Sequence, residues 1–193
     1  FHINQAEFSV GDFELNYRMH LRAGRAIKAV LEGNVPPPVR NEAAYRLARL
    51  HFQKDQPGDA MTALARIDGK VPEPIRDDLA FLRGNVYVAV GRFGDAAGIF
   101  KGLQGAKGYE GFASFNLGIA ELRGGEEKDG YASLARAGQA GASDPATLAI
   151  RDKANLVLGS RLLEAKQPAL AKQYLERVRI NGPFSASALL AWG

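Results

Sequence analysis

Apolar residues along the chain recur at the three- and four-residue spacing of amphipathic helices. These segments are about 12 to 16 residues long, an ordinary helix length. Turn residues separate them at Asp55-Gln56-Pro57-Gly58-Asp59, at Gly91 with Gly94, at Gly124-Gly125 and at Lys166-Gln167-Pro168. Glycine favours the left-handed end of a helix, and proline fits the first turn of the next one. No run has the alternating pattern of a strand, so an all-α fold is predicted.

The helical segments also repeat. Small residues recur at spacings of 34, 36, 34 and 41 residues, at Ala26, Ala60, Ala96, Gly130 and Ala171. A large apolar residue follows each of them by four positions, at Val30, Leu64, Phe100, Leu134 and Leu175. A third series precedes them, at Glu14, Ala48, Gly84, Gly118 and Gly159. Periods of this length are typical of stacked helix pairs.

The clearest unit runs from Leu82-Arg83-Gly84-Asn85-Val86-Tyr87 through Gly91-Arg92-Phe93-Gly94-Asp95-Ala96 to Phe100. It resembles the tetratricopeptide repeat, a helix A-turn-helix B unit of 34 residues. In that family's numbering the three series above are positions 20, 24 and 8, and position 32 falls on Pro38, Pro72, Gly108, Ala142 and Pro183. The resemblance implies a right-handed α-solenoid of antiparallel helix pairs, a TPR-like superhelix.

Each column has a physical reason. Small residues at positions 8 and 20 let helices A and B cross closely, and the residue at position 24 fills the space before the next repeat. We expect one array over residues 1–193, with repeats at about 7–40, 41–74, 77–110, 111–144 and 152–185 and a partial sixth at 186–193. The seven extra residues of the fourth step are predicted near Gly138 to Leu148, with Asp144 and Pro145 opening a lengthened helix. We expect the chain to be a fragment of a longer bacterial protein.

Charge, hydropathy and cysteine content exclude several classes of function. The charge is +4, from 25 basic and 21 acidic residues that are interspersed, which is too even for a nucleic-acid binder. No segment is apolar enough to span a membrane. The chain has no cysteine, which removes disulfides and thiolate chemistry and favours a periplasmic or envelope location over the cytoplasm. Oligomeric state is left open.

Candidate chemistry is sparse. His51 falls at an aromatic position of its repeat and is interpreted as a packing residue. Gly102, Gly105 and Gly108 lack the Lys-Ser/Thr of a phosphate loop and are interpreted as a linker. The pair Asp77-Asp78 is assigned to a helix N-terminus, and Glu126-Glu127 to a solvated turn. The cations Arg18, Arg22, Arg25 and Lys28 form either a solvated face or an anion-binding stripe. We therefore predict no catalytic, cofactor or metal site.

The resemblance implies that helix A lines a concave groove for a protein or peptide partner. Carried over position by position, the partner-binding residues become Tyr45, Arg46, Arg49, Phe52, Phe81, Asn85, Val88, Phe115, Asn116, Ile119, Arg123, Leu156 and Ser160. Aromatic and arginine side chains are typical binding anchors. The alternative is that Phe81, Phe115 and Leu156 pack between neighbouring A helices, and the sequence favours neither.

Two functions follow. The first is a protein-interaction scaffold of a bacterial envelope or assembly system. The second is a non-catalytic helper domain of an enzyme whose catalytic part lies outside these residues.

Overall fold

The computed structural model describes residues 20–141 and 144–192, and these contain helices and turns but no β-strand. The predicted features at Glu14, Arg18, Ala142 and Gly193 lie outside the described residues. The chain divides into two compact units, Phe1–Arg92 and Phe93–Gly193. The boundary falls inside the predicted third repeat.

Helices of both units begin and end close to the predicted turns. In the first unit they are α1 (His20–Glu32), α2 (Pro37–Gln53), α3 (Pro57–Leu64) and α4 (Arg76–Ala89), the last preceded by a 3₁₀ turn over Glu73–Ile75. In the second unit they are α5 (Phe93–Leu103), α6 (Glu110–Arg123), α7 (Glu127–Ala137), α8 (Pro145–Glu164), α9 (Pro168–Leu175) and α10 (Ser185–Trp192). By the repeat numbering, α2, α4, α6, α8 and α10 are A helices, and α1, α3, α5, α7 and α9 are B helices.

Within each unit, consecutive helices pack against each other, and so do successive A helices. The A-to-A contacts join α2 to α4, α6 to α8, and α8 to α10. Helices α6 and α7 run antiparallel, because Gly118 lies against Leu134 while Leu122, further along α6, lies against Gly130, earlier in α7. The predicted all-α class, an α-solenoid of antiparallel helix pairs, is confirmed.

Proline and one acidic cap set the helix starts. Pro37, Pro57, Pro145 and Pro168 each lie in the first turn, where their missing N–H costs nothing. Asp144 caps α8 by accepting hydrogen bonds from the amides of Ala146 at 2.8 Å and Thr147 at 3.0 Å. As predicted, α8 is lengthened at its start, and it spans 20 residues.

The A-to-B turns share one backbone geometry at position 15 of the repeat. This residue has a left-handed conformation in four repeats, at Asp55 (φ 56°), Gly91 (φ 79°), Gly125 (φ 87°) and Lys166 (φ 57°). In each turn the following amide donates to the carbonyl at position 11, over 2.8 to 2.9 Å. These bonds satisfy orphan carbonyls at the end of helix A. Two turns therefore achieve without glycine the geometry that glycine adopts most readily.

The predicted small and large columns form the core. Ala26, Ala60, Ala96 and Ala171 at position 20 are buried, as are Ala48, Gly84, Gly118 and Gly159 at position 8. The position-24 side chains Val30, Leu64, Phe100, Leu134 and Leu175 are buried as well. Burial of each such side chain contributes roughly 1.5 to 3 kcal/mol. The helix crossings thus depend on the columns that define the repeat.

Candidate partner-binding surface

The residues predicted to bind a partner lie on four A helices and differ widely in exposure. We call them the helix-A surface. Arg49 and Arg123 are exposed; Arg46, Phe52, Phe81, Asn85, Val88, Asn116, Ile119, Leu156 and Ser160 are half-buried; Tyr45 and Phe115 are buried. The exposed and half-buried members are accessible to a partner, whereas the two buried rings are mainly core.

In the first unit, a polar cluster lies on α2 and at the start of α4. The Arg49 guanidinium donates a hydrogen bond to the Tyr45 hydroxyl, and Asp78 lies near the same phenol. One turn earlier on α2, Arg46 pairs with Glu42 through an Nη2 to Oε1 distance of 2.8 Å. The hydrogen bond to Tyr45 therefore restrains the Arg49 guanidinium, although the Arg49 side chain is exposed to solvent.

Burial dominates the electrostatics of this cluster. It raises the pKa of the Tyr45 phenol; the Asp78 carboxylate adds to that rise, and the Arg49 guanidinium opposes it. Burial also lowers the pKa of the Arg46 guanidinium, and the neighbouring Arg49 charge acts in the same direction. The pKa of Glu42 is raised by burial alone. Each shift disfavours a charge that has lost part of its water.

In the second unit, the Phe115 ring is 6% exposed and packs with Ala154 and Leu158 of α8. The Lys153 ammonium lies 5.2 Å from the centroid of the same ring, a cation–π distance. Ile119 packs at the edge of this cluster. Phe115 therefore belongs to a cluster shared by α6 and α8, and the Lys153 ammonium lies over its ring.

Three charged residues that contact the helix-A surface were absent from the predicted partner-binding set. Glu42 was recognisable from its spacing of four residues to Arg46, which allows an ion pair along one helix face. Asp78 lies in the first turn of α4, where its assignment to a helix N-terminus is correct, but its proximity to Tyr45 links two helices. Lys153 likewise contacts a ring on a different helix. Such contacts between helices have no signature in local spacing.

The other candidate residues have structural positions. His51 Nδ1 lies 3.0 Å from Gln56 Oε1 in the turn after α2. Gly105 and Gly108 lie in the connection between α5 and α6, as the linker interpretation expected, and Gly102 lies in the last turn of α5. In the described ranges, no three His, Asp or Glu side chains gather as metal ligands would. Among the helices of those ranges, none combines the length and apolar character that a membrane span requires.

Three solved structures align with most of this chain. A crystal structure of MamA aligns with a TM-score of 0.71 at 16% identity, covering 91% of this chain and 90% of that one. A second MamA structure gives 0.67 at 16% identity, covering 88% and 92%. Pseudomonas aeruginosa PilF gives 0.65 at 16% identity, covering 98% and 81%. No curated protein sequence matches the chain significantly.

The fold, the repeat columns and these likenesses define a protein built of stacked helix pairs. Residues 19–73 match the sequence profile of the tetratricopeptide repeat. This match falls within the first unit.

Proposed function

We propose that this chain is a scaffold that binds a peptide or a partner protein on the helix-A surface. The observation that carries the proposal is the composition of that surface in the first unit. Exposed Arg49 adjoins half-buried Phe52 on α2, and α4 adds half-buried Phe81 and Val88. An arginine among partly exposed aromatic and aliphatic groups provides forked donors and apolar area for one ligand.

The predicted partner-binding residues of the second unit differ from these in chemical type. Ile119, Leu156 and Ser160 are half-buried there, and Arg123 is exposed. Its largest aromatic ring, Phe115, is withdrawn into the core. The accessible members of the second unit are therefore aliphatic and polar, whereas those of the first unit include aromatic side chains.

The test begins with selection of ligands from a displayed peptide library on the purified chain. Selected peptides are then titrated against Arg49→Ala and Phe81→Ala. Each change should weaken binding by about tenfold or more, because binding hot spots of this kind contribute 2 kcal/mol and upward. Circular dichroism should show unchanged helix content.

Matched controls lie on a B helix or just after one. Arg66 is exposed just beyond α3, and Leu170 is 46% exposed on α9. Arg66→Ala and Leu170→Ala should leave the affinity within about twofold, as surface changes away from a contact usually do. Loss of binding in these controls with full binding in the helix-A variants would contradict the proposal.

The scaffold belongs to a bacterial envelope or assembly system. Its support is the cysteine-free composition, which suits an oxidising compartment. Fractionation of cells producing the full-length tagged protein should recover it with periplasmic or envelope markers. Recovery with cytosolic markers alone would reject this location and leave the binding proposal intact.

A further inference from the structure

Position 1 of the second repeat holds a buried amide. Asn41, at 1% exposure, lies in the first turns of α2 and contacts the segment that follows α3. Its Nδ2 donates to the Asp68 carbonyl at 2.7 Å, and the Asp68 amide donates to Asn41 Oδ1 at 3.1 Å. Both backbone groups of Asp68, position 28 of this repeat, are thereby satisfied by one side chain. No residue near Asp68 in sequence is needed for this pairing.

Position 1 of the fifth repeat makes the equivalent contact with a carboxylate. Asp152 is fully buried, and its Oδ1 accepts the Arg179 amide at 3.4 Å. Arg179 is again position 28. A carboxylate cannot donate to a carbonyl. Here the Arg179 side chain completes the contact instead, with Nε and Nη2 each 2.8 Å from Asp152 Oδ2.

The fourth repeat has Gly111 at position 1 and so has no side chain there. Its position 28 is Gly138, whose carbonyl accepts a hydrogen bond from Asn155 Nδ2 at 3.1 Å. Asn155 is 1% exposed and comes from position 4 of the following repeat. A Cβ at residue 138 would lie 2.6 Å from Asn155 Oδ1, so the close approach requires glycine.

We propose that in these three repeats a dedicated buried side chain clips the backbone at position 28, and that this clip fixes the turn by which the chain leaves helix B. The polar side chains of Asn41, Asp152 and Asn155 are buried, and a buried polar group without a partner is costly. Pairing with the position-28 backbone removes that cost and sets the start of the next A helix. It is a conformational device of the fold and does not depend on what the helix-A surface binds.

The test uses the difference between the two position-1 side chains, a neutral amide at Asn41 and a carboxylate at Asp152. Asn41→Asp keeps the acceptor for the Asp68 amide but places an oxygen against the Asp68 carbonyl. The lost bond to the Asp68 carbonyl should let the contact open more often, so we expect the residue-68 amide to exchange with solvent about tenfold faster, the effect of losing one hydrogen bond. The thermal midpoint should fall, and the Arg179 amide should keep its protection as an internal control.

The double variant Asn41→Asp with Asp68→Arg rebuilds the Asp152–Arg179 pairing in the second repeat. Because Asp68 is exposed, an arginine there has room to reach the new carboxylate. It should restore both the protection of the residue-68 amide and the thermal midpoint lost by Asn41→Asp. Asp68→Arg alone should leave both close to those of the unchanged chain, since Asn41 still pairs with the residue-68 backbone and offers the arginine no charge.

Two results would overturn the proposal. The first is a double variant no more protected at residue 68 than Asn41→Asp. The second is equal acceleration of amide exchange at residue 68 and throughout α3, which would make Asn41 an ordinary core residue. If Asn41→Asp does not fold, recovery of a folded chain in the double variant supports the clip, and failure of both variants rejects it.

Discussion

The backbones of Gly118 on α6 and Gly130 on α7 pass so close that a side chain on either would touch the other's carbonyl. A Cβ at residue 118 would lie 3.0 Å from the Gly130 oxygen, and one at residue 130 would lie 3.1 Å from the Gly118 oxygen. These residues are positions 8 and 20 of the fourth repeat. The crossing of Gly159 and Ala171 in the fifth repeat is similar, with 3.4 Å from a Cβ at residue 159 to the Ala171 oxygen.

Gly118→Ala should therefore destabilise the chain by about 1 to 3 kcal/mol, the usual cost of overpacking a tight core. The new Cβ would also lie 2.8 Å from Leu134 Cγ. Urea denaturation followed by circular dichroism measures the change. Gly98→Ala on α5 is the matched control, because a Cβ there meets nothing within 4 Å. It should stabilise by about 0.5 to 1 kcal/mol through helix propensity. Equal effects of the two variants would contradict the close crossing.

Lys166→Gly should stabilise the chain by about 1 kcal/mol, because a left-handed residue with a Cβ is strained and glycine is not. Lys166 has a φ of 57° in the turn between α8 and α9. The control is the opposite change, Gly125→Ala, at a position with φ 87° and open space around the added Cβ. That variant should lose stability by a similar amount. Thermal midpoints that move in the same direction for both would rule out backbone strain as the cause.

Ser133→Ala should cost about 1 to 3 kcal/mol, since it leaves a buried carboxylate short of a donor. The Ser133 hydroxyl donates to Glu121 Oε2 at 2.6 Å, and Lys101 Nζ lies 3.6 Å from Glu121 Oε1. In a Glu121→Leu background the same serine change should cost much less. A double-mutant cycle by chemical denaturation measures this coupling, and additive effects would show that Ser133 acts independently of Glu121.

The cap of α8 should make its first turn sensitive to acid. Hydrogen bonds from Thr147 and Ala146 lower the pKa of the Asp144 carboxyl. Because the folded-state pKa is lowered, the cap's contribution is complete above the ordinary aspartate pKa and disappears as the pH falls through the lowered value. Chemical shifts of the Ala146 and Thr147 amides should report that titration.

Asp144→Asn is the control for that titration, since asparagine caps a helix without ionising in this range. The thermal midpoint of the variant should fall less steeply with acid than that of the unchanged chain. Identical pH profiles would mean that the carboxylate charge of Asp144 does not stabilise α8.

The repeat and its turns could be predicted because local chemistry fixes them. Period, small columns and turn residues identified the helix pairs, and Gly118, Gly130 and Gly159 lie at the expected crossings. The left-handed conformation of Lys166 had no such signal, because lysine does not favour it, whereas Asp55 belongs to a residue type that is enriched there. The position-28 clips were not anticipated either, since their partners lie 17 or 27 residues apart.

The helix-A surface was likewise predictable from the sequence only in part. Sequence register selected the helix faces that carry Tyr45, Arg49, Phe81 and Phe115. It could not tell that Tyr45 and Phe115 are 7% and 6% exposed, because burial depends on how closely successive A helices pack. The sequence by itself determined a helical repeat and its register, since side chains three and four residues apart share one helix face. Only the tertiary structure decided which of those side chains meet solvent, since that is set by atoms distant along the chain.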